Sequence, residues 1–283
     1  MILFLKKNNM KHLLILIFSI VICSPIKAQE NTSPYEWNWT KDGIWTGTAL
    51  GGSVVGFLLI LNKEGITEAD LERLMEKQDN INFLDRWAVG NHSEKANSIS
   101  DIPFALSFAM PLALLFDDEV NDNAGQVMGI YLESMATTGA LYTITAGLVD
   151  RSRPYVYAED KSLNRRLSND GQRSFYSGHV AATATATFFT AKVFQDFNPD
   201  SAGIPYMWAG AAILPAAVGY FRLQAGQHFL TDLLIGYGLG ALAGYYIPEW
   251  HKHKKDSNFG LTPLMGRTRF GDTYQALSIN YSF

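Results

Sequence analysis

Residues 173–194 read RSFYSGHVAATATATFFTAKVF, and the way this stretch is read decides the fold. From His179 on it is a run of alanine, threonine and phenylalanine, too long for an ordinary strand and without strand alternation. Small residues of this kind let helices approach closely, so the run reads as a helix packed against other helices. Its entrance is unusual. Arg173, Ser177, Gly178 and His179 place a cation, a hydroxyl, a glycine and an imidazole where a simple cap would suffice. Free amide N–H groups and the macrodipole at a helix start favour an anion, and Gly178 lets a ligand come close to the backbone.

Working outward, similar apolar runs occupy 102–116, 125–149, 203–221 and 229–247, and 43–62 is another, rich in glycine and threonine. The expected fold is all-α, a bundle of five to six long helices. TEADLERLMEKQ, with Thr67 as a cap, predicts a shorter amphipathic helix, and 80–101 reads as a loop with short helices. The tail alternates at Gln275, Leu277, Ile279, Tyr281 and Phe283, a strand pattern ending on an aromatic as in outer-membrane barrels. One hairpin cannot close a barrel, so a small C-terminal β-hairpin is expected.

The first residues, MILFLKKNNMKHLLILIFSIVICSPIKAQE, have a basic start, a short apolar middle and a polar end, the layout of a secretory signal. Cys23, the chain's single cysteine, falls inside it after Ile22, which argues against lipidation and leaves no disulfide framework. The expected division is therefore 1–29 signal peptide, 30–100 N-terminal helical extension, 101–252 bundle domain and 253–283 tail. The chain of 283 residues is 47% hydrophobic with net charge −4 and mean hydropathy −0.01. These numbers allow several apolar helices and give no basic surface for nucleic acid. If 43–62, 102–116 and 125–149 all crossed a bilayer, an exported chain would turn residues 150–178 to the cytoplasm. The short run 102–116 is the weakest crosser.

Two further stretches join the opening one. AGLVDRSRPYVY, 146–157, puts Arg151 and Arg153 before Pro154. FRLQAGQHFLTD, 221–232, holds Arg222 and, four apart, His228 and Asp232. On a helix that spacing brings imidazole and carboxylate to one face, where the carboxylate would fix the ring's tautomer. Guanidinium forks match phosphate oxygens. The assembled set would cradle an oxyanion, with one histidine free to attack phosphorus and the other to protonate the leaving oxygen.

In order and spacing these stretches resemble the signature of the type 2 phosphatidic acid phosphatase and vanadium-dependent haloperoxidase superfamily: K-x6-R-P, P-S-G-H and S-R-x5-H-x3-D. The resemblance covers roughly residues 100–250. It implies a helical fold of the acid phosphatase type, His179 as a nucleophile forming a phosphohistidine, His228 as acid and then base, and Asp232 as its orienting partner. It also implies phosphate binding by Arg153, Arg222, Ser177 and the Gly178 amide, with no cofactor and no metal required. Arg151 is added as partial compensation for a departure: the family lysine falls at Ala146. The family proline falls at Tyr176 and the serine at Phe221. An exported phosphatase of the cell envelope, its site facing the periplasm, is the reading. A phosphorylated lipid is the expected partner: phosphatidic acid, polyprenyl diphosphate or lipid A. A vanadate-dependent haloperoxidase and a non-catalytic lipid-binding relative are the alternatives. Arg165, Arg166 and Arg173 read either as a solvated face or as attraction for an anionic headgroup. His92, His251 and His253 receive no role, and Trp37, Trp39 and Trp45 suit a membrane interface or ordinary packing.

Overall fold

A computed structural model describes residues 33–253, 259–267 and 273–281, so the expected signal segment lies outside the described residues. The helices are α1 (Trp39–Leu61), α2 (Glu68–Glu76), α3 (Glu94–Ser107), α4 (Met110–Ala113), α5 (Asp118–Asp122), α6 (Ala124–Leu148), α7 (Leu163–Leu167), α8 (Gly178–Phe197), α9 (Ile204–Gln224) and α10 (Leu230–Trp250). Single 3-10 turns fill several of the connections.

The ATATAT run forms the central helix. Thirteen of the twenty residues of α8 are buried, against α6, α9 and α10. Threonine is tolerated there because its hydroxyls find acceptors: Thr183 bonds the His179 carbonyl (2.8 Å), Thr190 that of Ala186 (2.7 Å) and Thr187 that of Ala211 on α9 (3.0 Å). Thr185 meets Thr138 of α6 at 2.8 Å. Toward α10 the contact is backbone to side-chain-free backbone. A Cβ on Gly236, Gly240 or Gly244 would come within 2.6, 2.1 and 2.4 Å of the carbonyls of Ser177, Ala181 and Thr185. Spaced by four, these glycines make one face of α10 a groove for α8. Tyr35, Ile130, Phe189, Val193 and Ile247 fill the core at the far end.

One expectation needs correction. The run 102–116 is not one helix: α3 starts earlier, at Glu94, where the Ser93 hydroxyl caps the Ala96 amide, and the chain breaks after Ser107 before the Pro111 turn. Before it, α1 packs along α6, and α3 along α9, within one compact unit that reaches His251.

Four segments are long and apolar enough to cross a membrane: Trp39–Leu61, Glu94–Phe116, Ile204–Gln224 and Leu230–Trp250. Their outward faces carry exposed Ile44, Val54, Phe57, Ile213, Leu234 and Leu242, the surface of a membrane-associated bundle. The enclosed helix α8 is not among them. In the tail, β1 (Phe259–Arg267) and β2 (Thr273–Tyr281) pair antiparallel, from Phe259 opposite Tyr281 to Arg267 opposite Thr273.

Candidate active site

The site is built at one end of the bundle, where α6 ends, α8 begins, α9 ends and α3 begins. There the three motif stretches surround a cavity of about 390 Å³. Arg153, His179, Arg222 and His228 line it, joined by Asn97, Asp101, Tyr142, Arg165, Asp170, Arg173 and Gln227. Four guanidinium groups face two carboxylates, so the lining is cationic.

Pro154 opens a 3-10 turn and fixes Arg153 just before it. Arg153 is buried, with Nη1 on Asp170 (3.1 Å) and on Gln227, and Nε on the Arg173 carbonyl (3.3 Å). Arg222, in the last turn of α9, bonds Asn97 (2.9 Å), while its Nε is buried without a partner. The chain then reverses through Gly226, whose φ is +65°. A Cβ there would sit 1.6 Å from the Asn91 carbonyl oxygen, so both the turn and the close approach require glycine. That reversal delivers Gln227 and His228 into the cavity.

His179 stands in the first turn of α8 and stacks on Phe104 of α3 at 4.1 Å. Its Nε2 lies 3.4 Å from Asp101, which also approaches Arg222 at 3.7 Å. A carboxylate therefore already occupies the place between imidazole and guanidinium that suits a phosphate oxygen. Burial, followed by the charges of Arg222 and Arg153, pushes the His179 imidazolium down to about 3. The ring is thus neutral at pH 7, with a lone pair available.

His228 is buried. Its Nδ1 donates to the Ser174 carbonyl at 2.7 Å, since a carbonyl can only accept, and Nε2 is left for proton work. Burial, then Arg153 and Arg222, push this imidazolium well below its usual range.

Asp232 and Arg151 differ from expectation. α10 begins at Leu230, so His228 precedes the helix and the i,i+4 face does not form. Asp232 instead accepts from the Ser174 hydroxyl (2.6 Å), from the Phe229 amide (3.0 Å) and from Arg151. It reaches His228 through Ser174, whose hydroxyl holds the carboxylate and whose carbonyl holds the ring. Arg151 is off the cavity. It lies between Asp232 and the fully buried Asp85 (2.6 Å) and over the Phe229 ring at 5.0 Å. Burial would raise Asp85, but hydrogen bonds from Thr231, Asn82 and Arg151 outweigh it and hold the carboxyl below its ordinary value. Two buried carboxylates claim Arg151, so none of its charge is left for phosphate.

Ser177 and Gly178 also serve the fold. Ser177 is fully buried and caps α8 by accepting from the Val180 amide at 3.4 Å. A Cβ on Gly178 would meet the Tyr142 ring at 2.7 Å, so its glycine is needed for packing. Neither lines the cavity.

Arg165 and Arg173, left open in the sequence, do line it. Asp170 gathers them, accepting from Arg165 (2.7 Å), Arg153 (3.1 Å) and Arg173, and from the Tyr155 hydroxyl (3.1 Å). Burial raises the Asp170 carboxyl, but these guanidinium groups hold it below the usual range. The Nε of Arg173 is buried without a partner, like that of Arg222. Ala146, where the family has lysine, is fully buried one turn beyond Tyr142. Nearby Lys63 is spent on the end of α6, bonding the carbonyls of Ala146 (3.0 Å) and Val149 (2.7 Å) and pairing with Asp150.

Residues 128–256 match the family model of the PAP2 superfamily. A lipid A 4'-phosphatase from Porphyromonas gingivalis is 29% identical over 77 residues, which is 27% of this chain and 29% of that protein. The match thus spans under a third of the relative's length. A solved structure, a transmembrane PAP2 type phosphatidylglycerolphosphate phosphatase from Bacillus subtilis, aligns over 72% of this chain and 94% of its own, at 19% identity and a TM-score of 0.43. All three motif stretches fall inside the segment that matches the PAP2 superfamily, which covers a little under half of the chain.

Proposed function

We propose that the chain is a phosphatase of the cell envelope that removes phosphate from a lipid headgroup through a phosphohistidine, with its cavity on the periplasmic side. The observation that carries this reading is the convergence of both imidazoles and four arginines on one polar cavity. The neutral His179 attacks phosphorus, forming an N–P bond as the bond to the lipid oxygen breaks. His228 Nε2 delivers a proton to the leaving oxygen. Its depressed basicity means that this proton arrives with the substrate monoanion, which the free enzyme's imidazole does not carry. Water, deprotonated by the same Nε2, then cleaves the N–P bond and releases phosphate. Arg153, Arg222, Arg165 and Arg173 hold the equatorial oxygens, and the charge that the family lysine supplies comes here from Arg173 and Arg165. No step requires a metal ion.

A lipid substrate is supported by the apolar approach. Phe104 stacks on His179, and exposed Ile102 and Leu106 continue along the same helix to the bundle surface. Among lipids, the partial match to a lipid A 4'-phosphatase favours a lipid A-type phosphomonoester. The test is phosphate release from lipid A, phosphatidic acid, undecaprenyl diphosphate and p-nitrophenyl phosphate by wild type and His179→Ala. Turnover of lipid A above the others, abolished in the variant, is expected. Turnover that survives in His179→Ala refutes the mechanism, and p-nitrophenyl phosphate as the best substrate refutes the lipid assignment.

A further inference from the structure

At the opposite end of the bundle three buried side chains converge from three helices: Asp42 at the start of α1, Glu133 on α6 and His251 just past α10. Since α10 rises about 1.5 Å per residue, its 21 residues set this cluster about 30 Å from His228. We infer that Asp42, Glu133 and His251 form a structural binding site for a divalent transition-metal cation of the zinc class.

The first argument is the orientation of the ring. His251 Nδ1 donates to the Ile247 carbonyl at 2.8 Å, which leaves Nε2 with its lone pair facing the two carboxylates. Metal-ligating histidines are held in this way by a hydrogen bond from their other nitrogen. Trp37, stacked on the imidazole at 5.7 Å and 16°, fixes the plane of the ring.

The second argument is spacing. His251 Nε2 lies 3.4 Å from Glu133 Oε2 and 3.5 Å from Asp42 Oδ2. Both atoms of the closer pair, Glu133 Oε2 and His251 Nε2, are buried without a hydrogen-bond partner. Ligands about 2.0–2.1 Å from a tetrahedral ion stand about 3.3–3.4 Å from one another, so the gaps fit an ion between the groups better than direct bonds across them.

The third argument is charge. Asp42, Glu133 and His251 are 5%, 4% and 7% exposed. Two carboxylates and a neutral imidazole bury two negative charges, which a dication neutralises and a single proton does not. Nitrogen and carboxylate donors together suit zinc rather than calcium or magnesium. Thr46, one turn beyond Asp42 on α1, has a buried hydroxyl without a partner. Such an ion would tie α1, α6 and α10 together.

The experiment uses the full chain, purified in detergent on a histidine-free tag. It is titrated with Co²⁺ and, separately, Zn²⁺, followed by visible absorption, metal analysis after dialysis and thermal melting. About one ion per chain, cobalt d–d bands in the visible and a raised melting temperature are expected. Glu133→Gln and Asp42→Asn should lose all three while keeping phosphate release, because the catalytic cavity is remote. His251→Ala should behave likewise if it folds. Wild type that retains neither metal overturns the proposal, the cluster then being a protonated histidine between carboxylates. Retention in Glu133→Gln and Asp42→Asn equal to wild type also overturns it.

Discussion

Arg173→Ala measures how the site works without the family lysine. Arg173 lines the cavity, its side chain is 24% exposed, its Nε is buried without a partner and its Nη2 rests on Asp170. Removing one charge-assisted contact to phosphate costs about 1.5–3 kcal/mol, and partial exposure points to the lower half of that range. With about 1.4 kcal/mol per factor of ten, kcat/KM should fall about 10- to 40-fold. The fold should tolerate the change, because Asp170 keeps Arg153 and Arg165, and the backbone bonds that join Arg151 to Gln172 and Ser174 are untouched. The assay is phosphate release over a substrate series, with thermal melting as a control. Arg173→Lys should fall between the two, keeping charge but losing the fork. Adding Ala146→Lys to Arg173→Ala should recover part of the loss, since Ala146 lies one helical turn from Tyr142, which lines the cavity. Activity within twofold of wild type, at unchanged melting temperature, would refute the reasoning and leave Arg173 as a partner of Asp170 alone.

Other outcomes follow from the same geometry. Ser174→Ala and Asp232→Asn should each lower kcat, and the double variant should lose no more than the worse single, because Ser174 is the link between carboxylate and ring; additive losses in kcat would disprove the link. Gly226→Ala should cost at least about 1–2 kcal/mol from its positive φ alone, with more from the Asn91 collision, seen as a lowered melting temperature together with lost turnover. Stability should depend on acid through His179 and His228. Their folded forms resist protonation that the unfolded chain accepts near 6.5, so stability is complete above about pH 6.5 and declines below it. Melting temperature followed from pH 7.5 to 5 should fall less in His228→Asn than in wild type.

Much of this arrangement was legible in the sequence. The helical runs declared themselves by length and small residues, and Arg153, His179, Arg222 and His228 do meet in one cavity. What the sequence hid depends on where helices begin. A helix starting at Leu230 rather than before His228 breaks the i,i+4 relation and makes Ser174 the intermediary. Asp85 lies in a loop without periodicity, and only its contact with Arg151 shows why that arginine is unavailable. Arg165 and Arg173 look like loop charges until Asp170 is seen to gather them, although Arg173 heads the decisive stretch itself.

The glycine seam between α8 and α10 also limits how the cavity can be reshaped. With carbonyls of one helix seated against bare Cα atoms of the other, no side chain at that junction can be enlarged or trimmed to move α8 and α10 apart. The start of α8, which carries His179, is thereby held against the start of α10, which His228 precedes by two residues. Reshaping of the cavity falls to the third wall, α3, where Asn97, Asp101 and Phe104 reach inward from outside the family-matched segment.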